Sequence, residues 1–225
     1  MTEYVVPHNI DDRILSRSVT LLGEGGLIAL PTDTSWALVC SQNSRDGVAR
    51  LRRLSGERDE RHFTLLCSEI SQFGDFCDVD NSRFRLIKRL SPGPYVFILK
   101  TLSGTEKKLG LKRKEAGIRI PGHPLARALV TELGCPLYAI TAKRSMSGEE
   151  AELPAPVPER ADAGTELPSI PEEELFEGGW ELEAITDLDL ILDTGEERPR
   201  IFSTILDLSG GEVRLLRQGA GPWPV

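Results

Sequence analysis

Thr32, Asp33, Thr34 and Ser35 place three hydroxyls and one carboxylate side by side, directly after Pro31. A glycine pair, Gly25-Gly26, and a short apolar run at 27–30 precede them, and a second apolar run at 36–40 follows. The pattern predicts strand, turn, strand, because the first run is too short for a helix and too apolar for an exposed edge. Pro31 has no N–H to donate and so ends the ladder. A polar knot at a strand end either holds a small polar ligand or satisfies its own turn backbone. Two later stretches share its character. Gly117-Ile118-Arg119-Ile120-Pro121 reads as a short strand with one charge inside it. Thr141-Ala142-Lys143-Arg144-Ser145-Met146-Ser147-Gly148 is another polar, small-residue strand end, after the apolar run 137–140.

The elements that must position these groups alternate along the chain. Residues 4–6 are a candidate edge strand. Asn9 predicts a helix N-cap with Asp12 three residues on, and Ile10, Ile14, Leu15, Val19 and Leu22 mark one helix face. Ser44 caps a second predicted helix, with Val48, Leu51 and Leu54 inward and Arg45, Arg50, Arg52 and Arg53 along it; Ser55-Gly56 breaks it. A charged loop leads to a strand at 62–67. The spacing predicts a helix over 81–90, with Phe84, Ile87 and the stem of Lys88 on one side, stopped by Ser91-Pro92-Gly93-Pro94. A strand at 95–99, a basic connector (Lys107, Lys108, Lys112, Arg113, Lys114) and a helix opened by Pro124 and ended by Gly134 follow. Residues 149–171 are acidic, rich in proline and alanine, and read as a loop insertion. A short helix within 172–185, interrupted at Gly178-Gly179, and strands at 188–192, 203–208 and 213–216 complete the chain. This alternation argues for an α/β (mixed α+β) domain over 1–225 with a mixed sheet.

Composition excludes several classes. With 40% hydrophobic and 28% charged residues in 225, the chain is an ordinary globular one, and no apolar run approaches the roughly 18 residues a membrane helix needs. The N-terminus has neither the charged region nor the apolar core of a secretory signal. Cys40, Cys67, Cys77 and Cys135 form no C-x-x-C pair; they read as reduced, mostly buried thiols of a cytoplasmic protein. With three histidines there is little support for a zinc site. The net charge of −8 hides an asymmetry: residues 43–119 carry 17 Lys/Arg against 10 Asp/Glu, and residues 149–188 carry 1 against 13. The middle of the chain suits phosphates and the later segment does not. No side-chain catalytic triad is visible.

Five pieces occur in order: Gly25-Gly26 with Pro31-Thr32-Asp33-Thr34, Pro92-Gly93-Pro94-Tyr95-Val96-Phe97, Gly117-Ile118-Arg119-Ile120-Pro121, Ser203-Thr204-Ile205, and Leu216-Arg217-Gln218-Gly219. Together they resemble the YrdC/YciO family, over about residues 4–219 without the acidic insertion. His62-Phe63-Thr64-Leu65 and Asn81-Ser82-Arg83-Phe84-Arg85-Leu86 resemble its YciO branch most. The resemblance implies a single YrdC-like domain, a twisted mixed sheet flanked by helices with a concave basic cleft. It implies a threonylcarbamoyl-AMP synthase-like activity: an adenylate from ATP, L-threonine and bicarbonate, with pyrophosphate release, serving tRNA modification. Such chemistry rests on positioning and cationic stabilisation, with Mg²⁺ carried by the phosphates and no protein metal site.

Carried over by the resemblance, Thr32, Thr34, His62, Arg119, Thr141 and Ser203 bind substrate, and Arg52, Lys143 and Arg217 bind ATP, with Arg52 and Lys143 as the catalytic cations. Arg119 suits a planar carboxylate or carbamate through two parallel bonds; the competing assignment is a structural ion pair. Two departures stand out. Synthases carry Lys-x-Arg where this chain has Arg52-Arg53-Leu54, with Arg58 and Arg61 as nearby substitutes, and Ser-x-Asn where it has Thr141-Ala142-Lys143. The alternatives are a double-stranded-RNA-binding module on the same fold, or a divergent nucleotide-binding enzyme with another acid. Aromatics at 6% give no stacking ladder for single strands.

Overall fold

The computed structural model describes residues 1–56, 63–105, 114–147 and 171–223. Among the described residues, ten strands and four α-helices alternate: β1 Thr2–Tyr4, α1 Asp12–Gly23, β2 Ile28–Pro31, β3 Trp36–Ser41, α2 Arg45–Ser55, β4 Thr64–Leu66, α3 Asn81–Leu90, β5 Tyr95–Lys100, β6 Glu115–Arg119, α4 Pro124–Leu133, β7 Leu137–Thr141, β8 Leu190–Asp193, β9 Thr204–Asp207 and β10 Arg214–Arg217. All ten strands join one sheet in the order β1-β8-β2-β3-β7-β4-β6-β5-β9-β10. Pairs β1/β8, β2/β8, β4/β6 and β5/β9 are parallel and the others antiparallel, so the sheet is mixed.

The period-2 alternation of the strands builds two cores, one per face. On β3, Trp36, Leu38 and Cys40 face one core with Leu51 of α2 and Ile87 of α3. Ala37 and Val39 face the other, with Leu22 of α1 and Leu125, Ala126, Leu129 and Val130 of α4. Thus α1 and α4 cover one face, and α2 and α3 pack on the opposite one. Between α1 and β2 the chain turns tightly against its own helix. A Cβ on Gly26 would stand 2.5 Å from Leu21 Cγ, so only glycine lets the strand start there.

Most elements lie where the pattern places them, with instructive shifts. The α1 cap is Asp11, whose carboxylate accepts the Arg13 N–H at 2.8 Å, and not Asn9, whose own N–H closes a turn onto Val6 O. Both types cap helices; the register of the first turn selects between them. Ser44 caps α2 as expected, accepting from Gly47 N. The edge strand falls at Thr2–Tyr4 and not 4–6, because its parallel pairing with β8 matches Thr2 to Ile191. Phe84 is 42% exposed while Ile87 of the same helix is fully buried. The stretch 172–185 forms two 3-10 turns, Glu172–Glu174 and Gly179–Ala184, and no α-helix. Leu175, Phe176, Leu182 and Ile185 bury apolar surface on the sheet from these turns. Cys40, Cys67, Cys77 and Cys135 are free, and burial pushes the Cys40 and Cys77 thiols up to about 12. Most of the acidic insertion and basic connector lies outside the described residues.

The cap assignment is open to direct test. Asp11→Ala should cost about 1 kcal/mol of stability in urea denaturation, and Asn9→Ala should cost close to nothing.

Candidate functional site

Arg119 ends β6 with Ile118 and Ile120 turned to one core, so its side chain emerges on the opposite face, beside Leu66 of β4. It is 5% exposed. A guanidinium there must find partners, and every nitrogen does. Nη1 donates to Thr34 Oγ1 at 3.1 Å and Ser203 Oγ at 2.6 Å; Nη2 donates to Asp33 Oδ1 at 2.5 Å; Nε donates to Gly93 O at 3.2 Å. Burial pushes the Arg119 pKa down and the Asp33 carboxylate pushes it back up. The ion-pair assignment therefore holds in this structure, while the same guanidinium joins Thr34 and Ser203, both expected at the site.

The turn after β2 satisfies itself, as its composition allows. Thr32 Oγ1 donates to Ser35 O at 2.7 Å, lies 3.0 Å from Thr34 Oγ1, and accepts from the Thr34 and Ser35 N–H groups. Thr34 is the hinge of the arrangement: it touches Thr32 in the turn and Arg119 across the sheet. Ser203, just before β9, is bracketed by two arginines. Its hydroxyl accepts from Arg119, and its carbonyl accepts Nε and Nη2 of Arg217 at 3.1 and 3.0 Å. The Arg217 guanidinium also lies over the Phe202 ring, 4.7 Å from its centre. Thr141 pairs with Ala37 at the end of β7, next to the turn and on the face of Arg119.

One of the expected cations lies on the other face of the sheet. Arg52 sits on α2, in the opposite layer, with its guanidinium 5.9 Å from the centre of the Phe63 ring; its charge acts on Tyr138 beneath. Lys143 forms an isolated bridge with Leu175 of the segment after the insertion. Its neighbour Arg144 lies over the Phe176 ring at 5.1 Å, donates to Glu173 O at 3.0 Å, and pairs with the Glu181 carboxylate. That carboxylate also accepts from Glu177 and Gly178 N–H, and these bonds hold its pKa down against burial. Arg144 thus ties the end of β7 to the segment 37 residues on, a partnership no local pattern announces. His62, Arg58 and Arg61 lie outside the described residues.

His123 was not expected at all. It caps α4, Nδ1 accepting Leu125 N–H at 3.3 Å, which leaves its proton on Nε2. Burial, then the nearby Arg198 charge, pull its pKa down to about 4. Histidine before Pro124 was the available signal, since an acceptor followed by proline marks a helix start.

A single mixed sheet with helices on both faces, and a buried arginine holding strand-end hydroxyls, defines the class of YrdC-like α/β domains. The family model described as "Telomere recombination" (Sua5_yciO_yrdC) matches residues 20–160. The protein named "Uncharacterized protein YciO" of Escherichia coli is 32% identical over 219 residues, covering 97% of this chain and 95% of that one. Its crystal structure superposes with a TM-score of 0.77 at 29% identity, over 99% of this chain and 97% of that one. A Xanthomonas axonopodis pv. citri protein named threonylcarbamoyl-AMP synthase is 30% identical over 138 residues, 60% of this chain and 73% of that one. The P. abyssi Sua5 structure complexed with L-threonine shares the fold, with a TM-score of 0.75 at 20% identity over 97% of this chain and 57% of that one. The chain belongs to the Sua5/YciO/YrdC family.

The buried pair and the buried imidazole both carry stability predictions. Arg119→Ala leaves Asp33 without its cation and should cost about 3–5 kcal/mol, part of which Asp33→Asn in the same chain restores. His123 has a folded pKa of about 4, below the ordinary value of 6.5. The unfolded chain therefore takes up the proton first as pH falls. The stability from neutral His123 is full above pH 6.5 and is lost progressively as pH falls through about 4. The loss is on the order of 3 kcal/mol. His123→Asn keeps a cap acceptor and should flatten that part of the pH dependence of the urea midpoint.

Proposed function

We propose that this protein is a threonylcarbamoyl-AMP synthase-like nucleotidyltransferase. It joins L-threonine, bicarbonate and the adenylyl group of ATP into an adenylate, water leaving as the threonine amine forms its carbamate with bicarbonate and pyrophosphate leaving from ATP, for use in tRNA threonylcarbamoyladenosine modification. The carrying observation is the buried Arg119 with Thr34 and Ser203 on one amino group and Asp33 on the other. A guanidinium already desolvated and oriented is prepared to take a small planar anion in exchange for its Asp33 partner. The named relatives support the choice of threonine as the acid.

In this reading Thr32, Thr34, Arg119, Thr141 and Ser203 gather the amino acid and its carbamate, with His62 joining them. A carbamate oxygen attacks the α-phosphorus; the bond from that phosphorus to the bridging oxygen of the β-phosphate breaks, and pyrophosphate leaves with the electron pair. Arg217, anchored on the Ser203 carbonyl, offers positive charge beside the acid site. Lys143 is the remaining ATP-binding cation of the proposal; Arg52, in the layer opposite Arg119, is not part of it. The site offers cations and hydroxyls, which suit anions; the phosphates would bring Mg²⁺ with them.

Pyrophosphate release tests the whole scheme. It should require ATP, L-threonine and bicarbonate together. Arg119→Lys keeps the charge but not the fork, and should lower the rate at least about 100-fold. ATP binding with no release under any combination of acids would overturn the synthase reading. Salt-sensitive binding of double-stranded RNA without nucleotide binding would replace it with the RNA-binding one.

A further inference from the structure

β1 is the last strand on its side of the sheet, so among the described residues no strand pairs with its outer edge. Met1 O accepts from Ile191 N–H at 2.8 Å, and Val5 N–H donates to Asp193 O at 2.7 Å. Backbone groups alternate in direction along a strand, so those of Thr2 and Tyr4 point the other way, out of the sheet. A row of unpaired N–H and C=O groups is a template for one more strand.

The side chains beside this edge are aromatic and acidic. Thr2 Oγ1 donates to Glu183 Oε1 at 2.8 Å, so Thr2 faces the 3-10 turn Gly179–Ala184, and the alternation of the strand puts Tyr4 on the same side. At its other end that turn packs Gly179 on Asp193 so closely that a Cβ has no room, and Asp193 is the register partner of Tyr4. The turn therefore runs alongside β1 in the opposite direction. Side chains three apart eclipse in a 3-10 helix, which puts Trp180 one turn from Glu183, at the level of Tyr4. Tyr4 and Trp180 are each 72% exposed.

At the Thr2 end a cleft of about 330 Å³ is lined by Met1, Glu183, Ile185, Thr186, Leu188 and Ile191. Apolar walls with one carboxylate fit the carbon stem and charged head of a lysine or arginine. The charge around it points the same way: residues 171–188 hold six glutamates and Asp187, and no lysine or arginine. Glu181 is engaged by Arg144 and Glu177 by Arg200, whereas Glu183 meets no cation among the described residues. Arg17 is engaged by Glu3, whose side chain leaves β1 on the opposite face from Thr2. Exposed indole and phenol faces add a further attraction for cations.

We propose that the free edge of β1, with Tyr4, Trp180 and Glu183, is a docking surface for an extended, lysine- or arginine-bearing segment of a partner protein. The segment adds to the sheet as a strand and seats one cationic side chain in the Glu183 cleft. Backbone pairing gives the affinity, and alternate side chains give the specificity. β8 separates this edge from β2, and the proposal is independent of the acid-site reading.

Fluorescence polarisation of the full chain with a dye-labelled, acetylated octapeptide alternating lysine and valine tests it. Binding should be saturable and at least about 10-fold tighter than for the glutamate–valine counterpart. Methylating alternate backbone nitrogens of the peptide should abolish it, since the ladder loses its donors while the charge stays. Trp180→Ala and, independently, Glu183→Gln should each weaken binding at least about fivefold, and both side chains are exposed enough for the fold to survive, which circular dichroism checks. No saturable binding, equal binding of the methylated or the acidic peptide, or unchanged binding by both variants overturns the proposal. A dimer in sedimentation that Tyr4→Pro dissociates, by removing an outward N–H, would assign the edge to a second copy of this chain and overturn it as well.

Discussion

The ion pair between Arg119 and Asp33 is the constraint around which the strand ends are arranged. A guanidinium removed from water must be met by a charge and by oriented acceptors, or the fold loses more than it can spare. Here the acceptors come from three separate places: the turn after β2, the loop before β5 and the residue before β9. Each is distant in sequence from the others. Satisfying one side chain therefore fixes the relative positions of segments from the first, middle and last thirds of the chain. The pair also keeps a cation desolvated among the strand-end hydroxyls of Thr34 and Ser203.

Other groups depend on that arrangement in turn. Ser203 is oriented by Arg119 through its hydroxyl, and its carbonyl then receives Arg217. The following residue, Thr204, donates to Gly221 O and accepts from Gly219 N–H, so the end of the described chain folds back over β9. The absence of a side chain at Gly219 matters for the same reason, since a Cβ there would meet Phe202 O at 2.2 Å. A motif that reads as arginine followed by glycine is thus two contacts on one residue pair: a cation on the Ser203 carbonyl and a backbone approach to its neighbour.

The sheet also separates charges that lie close together in composition. The arginines of α2 belong to the layer opposite Arg119, and Arg50 there is drawn to Asp189 and the Asp187 carbonyl. Arg144 is taken up by Phe176 and Glu181. Among the described residues, the basic helices α2 and α3 consequently lie on the face opposite Arg119. Around Arg119 the charge is met by a few buried groups, and the electrostatics there are set by burial and geometry far more than by net charge.

Sequence alone determined the fold class, most element positions and the turn chemistry, because these follow from local rules: strand alternation, helix spacing, proline and glycine stops, and caps within four residues. The paired motifs around Thr32, Arg119, Ser203 and Arg217 were legible as pieces of one family pattern. The choice of Asp11 over Asn9, the 3-10 turns at 172–185 and the exposure of Phe84 were not, since each turns on which register or face the packed neighbours leave available. The tertiary structure alone decided that Asp33 is the counter-ion of Arg119, that Arg144 serves a distant carboxylate, that Arg52 belongs to the far layer, and that His123 lies within electrostatic reach of both Asp33 and Arg198. Those facts depend on contacts between residues tens to more than a hundred positions apart. A linear pattern carries the type of such a residue, but the sheet order supplies its partner.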